Sequence, residues 1–421
     1  MERTDVGAQD APAPGRDRLP APAAPVGLLV AILLVAANLR ATLTGVGTLL
    51  PDIERGSGLG STWGGLLNTL PLLTFAATSP LVARASHRYG TAKLLASSLA
   101  VLACGTAVRS LPSDIALFAG TVVLSAAIAC GNVLLPAVIR RHVPGPRIPT
   151  VSALYVTVMG LVAAVSSGIS VPLAHALPGS WHTGLAWGIV FAVAALPVWL
   201  LRTRGDAPAA STGVTPAPTP WRSALAWKVS LFMGLQSFGF YTIIAWLPSI
   251  LARQGMSGTA AGWTLFYYQI VALTAGLLVP LATRGRPDQR LTAAGASLIV
   301  AAGFLLLLVP ALTVVACTLL GLGGGACLVL ALSFQSQRAG GPGQAAALAG
   351  MAQSIGYLVA AAGPLLLGAL HDATGGWTVP LVLLAAVGLA MAAAGHGAGR
   401  DRRVSSGDAP GTEAGQGDRA R

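Results

Sequence analysis

Residues 26–50 read VGLLVAILLVAANLRATLTGVGTLL, an unbroken apolar run with one charge, Arg40, and no proline. At about 1.5 Å of rise per residue it more than covers the roughly 30 Å hydrocarbon core of a bilayer. It carries no polar face of the kind a soluble surface helix needs. It is also too long for a signal-peptide core, so the sequence predicts an uncleaved first span. Eleven more such runs follow, separated by charge or by Pro and Gly clusters. The spans are expected near Val26–Leu50, Trp63–Ala83, Lys93–Leu111, Ile115–Ile139, Pro149–Ala176, Trp181–Leu201, Leu225–Leu251, Thr259–Thr283, Leu291–Val309, Ala311–Phe334, Gln344–Leu370 and Gly376–Gly395.

Composition agrees with twelve spans. Of 421 residues 54% are hydrophobic and 10% charged, with a mean hydropathy of +0.71, whereas soluble domains are about 25% charged. Disordered, collagen-like and disulfide-stapled classes are excluded. Cys104, Cys130, Cys317 and Cys327 sit in apolar runs without metal-ligand spacing and read as small buried hydrophobes. No metal or cofactor is expected.

The net charge of +12 would suggest nucleic acid in a soluble protein. Here the bases lie between apolar runs, which makes them a topology signal. With both termini in the cytoplasm, 22 of the 26 Lys and Arg residues fall on the inner side and only Arg55, Arg109 and Arg253 in outer loops. A multi-pass protein of the cytoplasmic (inner) membrane is expected. Residues 1–25 read as a disordered cytoplasmic tail, 26–201 as a six-helix bundle, 202–224 as a Pro/Ala/Ser/Thr cytoplasmic linker, 225–397 as a second bundle and 398–421 as a second disordered tail.

The halves repeat. Leu50-Pro51-Asp52-Ile53 answers Leu247-Pro248-Ser249-Ile250, and Leu173-Ala174-His175 with Gly179 and Trp181 answers Ala369-Leu370-His371 with Gly375 and Trp377. Arg84 answers Arg284. Two related six-helix bundles are a transporter layout, with a substrate cleft expected between them near the midplane.

Longer motifs extend this. Asn38-Leu39-Arg40-Ala41-Thr42-Leu43-Thr44-Gly45-Val46-Gly47, Gly131-Asn132-Val133-Leu134-Leu135-Pro136, the stretch from Gln236 through Tyr241 to Trp246-Leu247-Pro248, and Gly350-Met351-Ala352-Gln353-Ser354-Ile355-Gly356-Tyr357 with Gly363-Pro364 and His371-Asp372 resemble the cyanate and 2-nitroimidazole transporter (CynX/NimT) family of the major facilitator superfamily. The resemblance covers all twelve spans. It implies an all-α integral membrane protein working as a monomer on a small molecule, with cyanate and nitroimidazole drugs as the family's named substrates. The superfamily's loop after the second span usually carries an Asp where this chain has His87. Arg84, Arg88 and Gly90 remain as the expected cytoplasmic gate loop.

Arg40 lies roughly 21 Å along the first span, too deep to snorkel easily to either surface. A guanidinium there costs about 2.5–3.5 kcal/mol on insertion scales and must face a wet cavity or a partner. Its planar donor fork suits carboxylate-like, cyanate-like or nitro oxygens. A structural Arg bonded to backbone carbonyls is the other reading. None of the fourteen acids falls mid-span, so anionic or neutral polar cargo is favoured over cations. Asn38, Thr44, Asn132, Gln236, Tyr241, Tyr268, Gln269, Gln353 and Tyr357 are further candidates for substrate binding, each equally readable as an interhelical tie. Trp246 and Pro248 read as interfacial anchor and helix end. His175 and His371, the latter with Asp372 beside it, are candidates for proton coupling or an outer gate.

Gly321, Gly323, Gly324 and Gly325 are not followed by Gly-Lys-Ser/Thr, which leaves ATP-driven pumping unsupported and close helix packing as their reading. No nucleophile with a base is visible, so an enzyme is not expected. The expectation is a secondary transporter working by alternating access on a small anionic or polar solute such as cyanate. Efflux of a neutral nitroimidazole-like drug, with protons as an optional partner, is the alternative.

Overall fold

A computed structural model describes residues 26–202 and 219–404. The expected tail 1–25, most of the linker and residues 405–421 lie outside the described residues. The described chain is helical: α1 (Val26–Ser57), α2 (Ser61–Tyr89), α3 (Thr91–Arg109), α4 (Asp114–His142), α5 (Ile148–Ala176), α6 (Trp181–Ala186), α7 (Ile189–Arg202), α8 (Ala224–Arg253), α9 (Gly258–Ala282), α10 (Arg290–Leu306), α11 (Thr313–Gln337), α12 (Pro342–Thr374) and α13 (Thr378–Ala398). Counting α6 and α7 as one broken span gives twelve. Ten spans are long and apolar enough to cross a bilayer by length and composition; the other two are α2 and the short α10. Large apolar side chains such as Ile115, Val190, Leu281 and Leu291 stand on the outside, as lipid-facing positions require.

The helices α1–α7 and α8–α13 form two bundles. In the first, α1 packs on α5 and α3 on α4; in the second, α8 packs on α12, α10 on α13 and α11 on α9. The bundles meet through α2 against α12, α5 against α9, and α1 against α8. Small residues allow this approach. A side chain on Gly47 would strike the Ile244 carbonyl, and one on Gly65 would come within 2.5 Å of the Pro364 oxygen. Both contacts lie at the end of the molecule where α1 finishes and α2 starts. The glycines of α11 likewise press on α9 and α10, at Val271, Ala272 and Ala296, which is the packing role expected of them.

Several expectations need correction. Pro248 does not end its helix: α8 continues to Arg253, since a proline's missing N–H and ring are tolerated in a span held by its neighbours. Trp246 is fully buried rather than interfacial; its indole donates to the Pro364 carbonyl at 2.9 Å and its ring lies 5.1 Å from Trp377. Arg109 belongs to no loop. It is the last residue of α3 and has no exposed surface. The sixth span breaks at Trp187 and Gly188. Of the cysteines, Cys317 and Cys327 are buried, Cys130 is partly so and Cys104 is exposed. Finally, residues following α13 stay with the fold: Gln289 donates to the Gly399 carbonyl, and Val404 is buried and bonded to Arg338.

Substituting Gly47 by Val is expected to overpack the α1–α8 contact at a cost of about 1–3 kcal/mol. Thermal unfolding of the purified protein in detergent checks this.

Candidate functional site

The polar residues singled out in the sequence separate into three groups. The first surrounds Arg40. α1 brings it to the middle of the structure, half-buried, where Nη1 donates to the Tyr241 hydroxyl at 3.4 Å and the guanidinium carbon stands 5.8 Å from that ring's centroid. No carboxylate pairs with Arg40 among the described residues. Tyr241 comes from α8, so the contact bridges the bundles. Tyr357 of α12 joins the group and is near enough to act on the guanidinium electrostatically. It packs edge-on to Phe75 of α2, ring centroids 6.4 Å apart. α4 approaches α1 where Gly131 meets Leu39, which sets Asn132 at the level of Arg40. Gln353 precedes Tyr357 by one helical turn on the same side of α12. Asn132 and Gln353 are half-buried. The result is one cation with two phenols beside it, drawn from both bundles, with two half-buried amides on the neighbouring turns of α4 and α12.

The second group lies apart from Arg40. Gln236 is five residues from Tyr241, which places it about 140° away around α8. With Tyr268 it lines a small apolar cavity inside the second bundle, beside Phe240, Phe304 and Met391. The third group is bonded within the protein. The Asn38 amide donates to the Leu34 carbonyl of its own helix at 2.8 Å, whereas the Thr44 hydroxyl ties α1 to Ala163 of α5 at 2.9 Å and the Gln269 amide reaches across the bundles to Ser167 at 2.8 Å. All three are almost fully buried.

At the end where α1 finishes, the expected pair of His371 and Asp372 is not a pair. The Asp372 carboxylate accepts from the Thr62 N–H at 2.8 Å and the Thr62 hydroxyl at 2.6 Å. It therefore caps the start of α2 from the opposite bundle, where the helix dipole favours an anion. His371 instead stacks on Trp377 with centroids 4.2 Å apart. His175, in contrast, does meet a carboxylate, 3.6 Å from Asp52 within the first bundle. Gln269–Ser167 is one bond between the bundles; at the end where α1 finishes Thr69 adds another, donating to the Ala361 carbonyl at 2.9 Å. We call this the sealed end. At the other end α2 gives way to α3 through Gly90, whose φ of 84° suits a residue without a side chain. Arg84 and Arg88 are exposed there, Arg88 lying over Tyr89 at 5.4 Å.

Sequence reasoning missed Phe75, an apolar residue in an apolar run. It missed Thr62, which becomes a partner only when the bundles dock. Arg109 was counted with the outer loops because it stands near the end of the expected span Lys93–Leu111, where an arginine is usually at the surface.

A family model described as the Major Facilitator Superfamily matches residues 28–361. A 2-nitroimidazole transporter of Escherichia coli (strain K12) is 42% identical over 381 residues, covering 90% of this chain and 96% of that protein. The cyanate transport protein CynX of the same organism is 29% identical over 362 residues, covering 83% and 91%. Among solved structures, a bacterial homologue of the human lysosomal transporter Spinster, in an inward-facing and occupied conformation, superposes with a TM-score of 0.67 at 17% identity, covering 87% of this chain and 93% of that one.

Replacing Asp372 by Ala is expected to weaken the sealed end by about 1 kcal/mol, the usual worth of a helix cap. In a background with the four native cysteines replaced, a Thr69→Cys probe at the α2–α12 contact should then react severalfold faster with an impermeant maleimide.

Proposed function

The chain belongs to the major facilitator superfamily, a multi-pass membrane transporter of a small molecule and not an enzyme, and on that footing we propose that it carries a small, flat, oxygen-bearing solute of the 2-nitroimidazole kind, with Arg40 donating to the solute's oxygens. The observation that carries this reading is the Arg40 guanidinium, set between bundles with phenols around it and no carboxylate paired to it. A guanidinium satisfied only by a 3.4 Å contact to a phenol keeps donors free for a ligand. Its fork matches the two oxygens of a nitro group, and Tyr241 and Tyr357 offer faces for a flat ring. Cyanate, in the name of the more distant relative, offers the same cation a compact acceptor without the ring. The sequence alone favoured such an anion; the aromatic surroundings and the more similar relative move the preference to a ring-bearing cargo.

Both termini lie in the cytoplasm in this reading, by the charge bias, and the membrane is the inner one. The sealed end then faces outward and the site communicates with the cytoplasm. Rocking of the bundles breaks the Asp372–Thr62 and Gln269–Ser167 bonds, turning the site toward the outside. Because Arg40 and Tyr241 sit on opposite bundles, a solute bound between them feels both and biases the equilibrium between the two arrangements.

The test is flux of labelled 2-nitroimidazole in proteoliposomes, with cyanate as competitor. Saturable flux is expected. Loss of a charged donor is worth roughly 1.5–3 kcal/mol, so Arg40→Gln should raise KM at least tenfold. Arg40→Lys should fall between, since an ammonium keeps the charge and loses the fork. Wild-type kinetics in Arg40→Gln would overturn the assignment.

A further inference from the structure

We propose that Arg109 is the positioning residue of the Arg40 site: its buried guanidinium fastens the turn of α1 that follows Arg40 to the break between α6 and α7, and so fixes where Arg40 stands. The inference rests on the reading of Arg40 as the substrate's donor.

Arg109 has no exposed surface, and no carboxylate pairs with it among the described residues. Nη1 donates to the Thr42 carbonyl of α1 at 2.7 Å, and Nη2 to the Leu185 carbonyl of α6 at 3.0 Å. Nε is buried with no acceptor. Burying an unpaired cation costs several kcal/mol, and an apolar side chain of similar length would fill the space without that cost. The position therefore asks for what an apolar residue lacks, two donors held at a fixed angle.

The reason lies in the broken span. Val190 N–H bonds to Trp187 and Phe191 N–H to Gly188, so the α-helical ladder is interrupted after α6. Inside a membrane such carbonyls need donors from the protein, and the C-terminal end of a helix favours a cation. Arg109 meets that need at Leu185, and its second arm reaches Thr42, two residues beyond Arg40. The same turn is held from the other side by α5. The Ser166 hydroxyl donates to Ala41 at 2.6 Å, and the Thr44 hydroxyl to Ala163 at 2.9 Å. Residues 41–44 are thus clamped between α5 and the α3–α6 joint, while the Arg40 side chain has one long bond of its own. Its placement is inherited from the clamped turn.

The experiment compares Arg109→Lys, Arg40→Lys and the double variant in proteoliposomes with labelled 2-nitroimidazole, alongside thermal unfolding of each. Lysine keeps the charge but loses the fork. Arg109→Lys is expected to raise KM about tenfold with Vmax per folded molecule nearly unchanged. The double variant is expected to fall short of the product of the single effects, the mark of coupled residues. A merely structural Arg109 would lower unfolding temperature and folded yield, leave KM of the folded fraction unmoved, and combine additively; that outcome overturns the proposal. Should Arg40→Lys itself leave KM unchanged, the Arg40 reading fails and the positioning role falls with it. In the contrasting case, an effect at Arg40 without one at Arg109 refutes the positioning role alone. Where Arg109→Lys does not fold, Gly188→Ala tests the same joint with Arg109 in place, because its side chain would press to 2.7 Å from Thr42 Cγ2; an unchanged KM there overturns the proposal.

Discussion

A guanidinium removed from solvent must be given acceptors or water, and this protein meets that demand in three ways. Arg338, at the end of α11, spends its donors on the carbonyls of Ala398, Gly399 and Pro287, holding the end of α13 against the loop before α10. Arg109 spends two donors on the carbonyls of α1 and α6. Both are structural in the sense that their fork is filled by the protein. Arg40 is different, because one phenol at 3.4 Å leaves its fork open. The contrast among chemically identical side chains is what supports the proposal that the acceptor for Arg40 comes from elsewhere.

The sealed end follows from the same economy of polar groups. Backbone donors at the start of α2 need an acceptor, and Asp372 supplies it from the other bundle. A glycine at position 47 lets α1 and α8 touch backbone to backbone, and Gln269 reaches Ser167 between α9 and α5. Few and specific contacts of this kind can be made in one arrangement and broken in another. A broad apolar seam between the bundles would lock them together.

The fold was legible because lipid leaves little choice: twelve long apolar runs can only be helices, and punctuating residues such as Pro and His kept the repeat visible. Arg40 was legible for the same reason, as a charge too deep for either surface. What could not be read was direction. Gln236 and Tyr268 carry the same chemistry as Gln353 and Tyr357, yet the rotation of α8 and α9 turns them into the second bundle's own cavity. Adjacency misled at His371 and Asp372, because consecutive helical residues point about 100° apart. Trp246 looked interfacial by type and is instead the indole that α12 packs around. Arg109 was hidden by the prior that an arginine near the end of a span lies at the surface.

Binding of cargo between the bundles at Arg40 is tested most directly by a structure of the protein with 2-nitroimidazole bound. The nitro oxygens are expected within hydrogen-bonding distance of the Arg40 guanidinium and the ring against Tyr241 or Tyr357. Density for the ligand elsewhere, for instance beside Gln236 and Tyr268 in the second bundle, with Arg40 untouched, would contradict it.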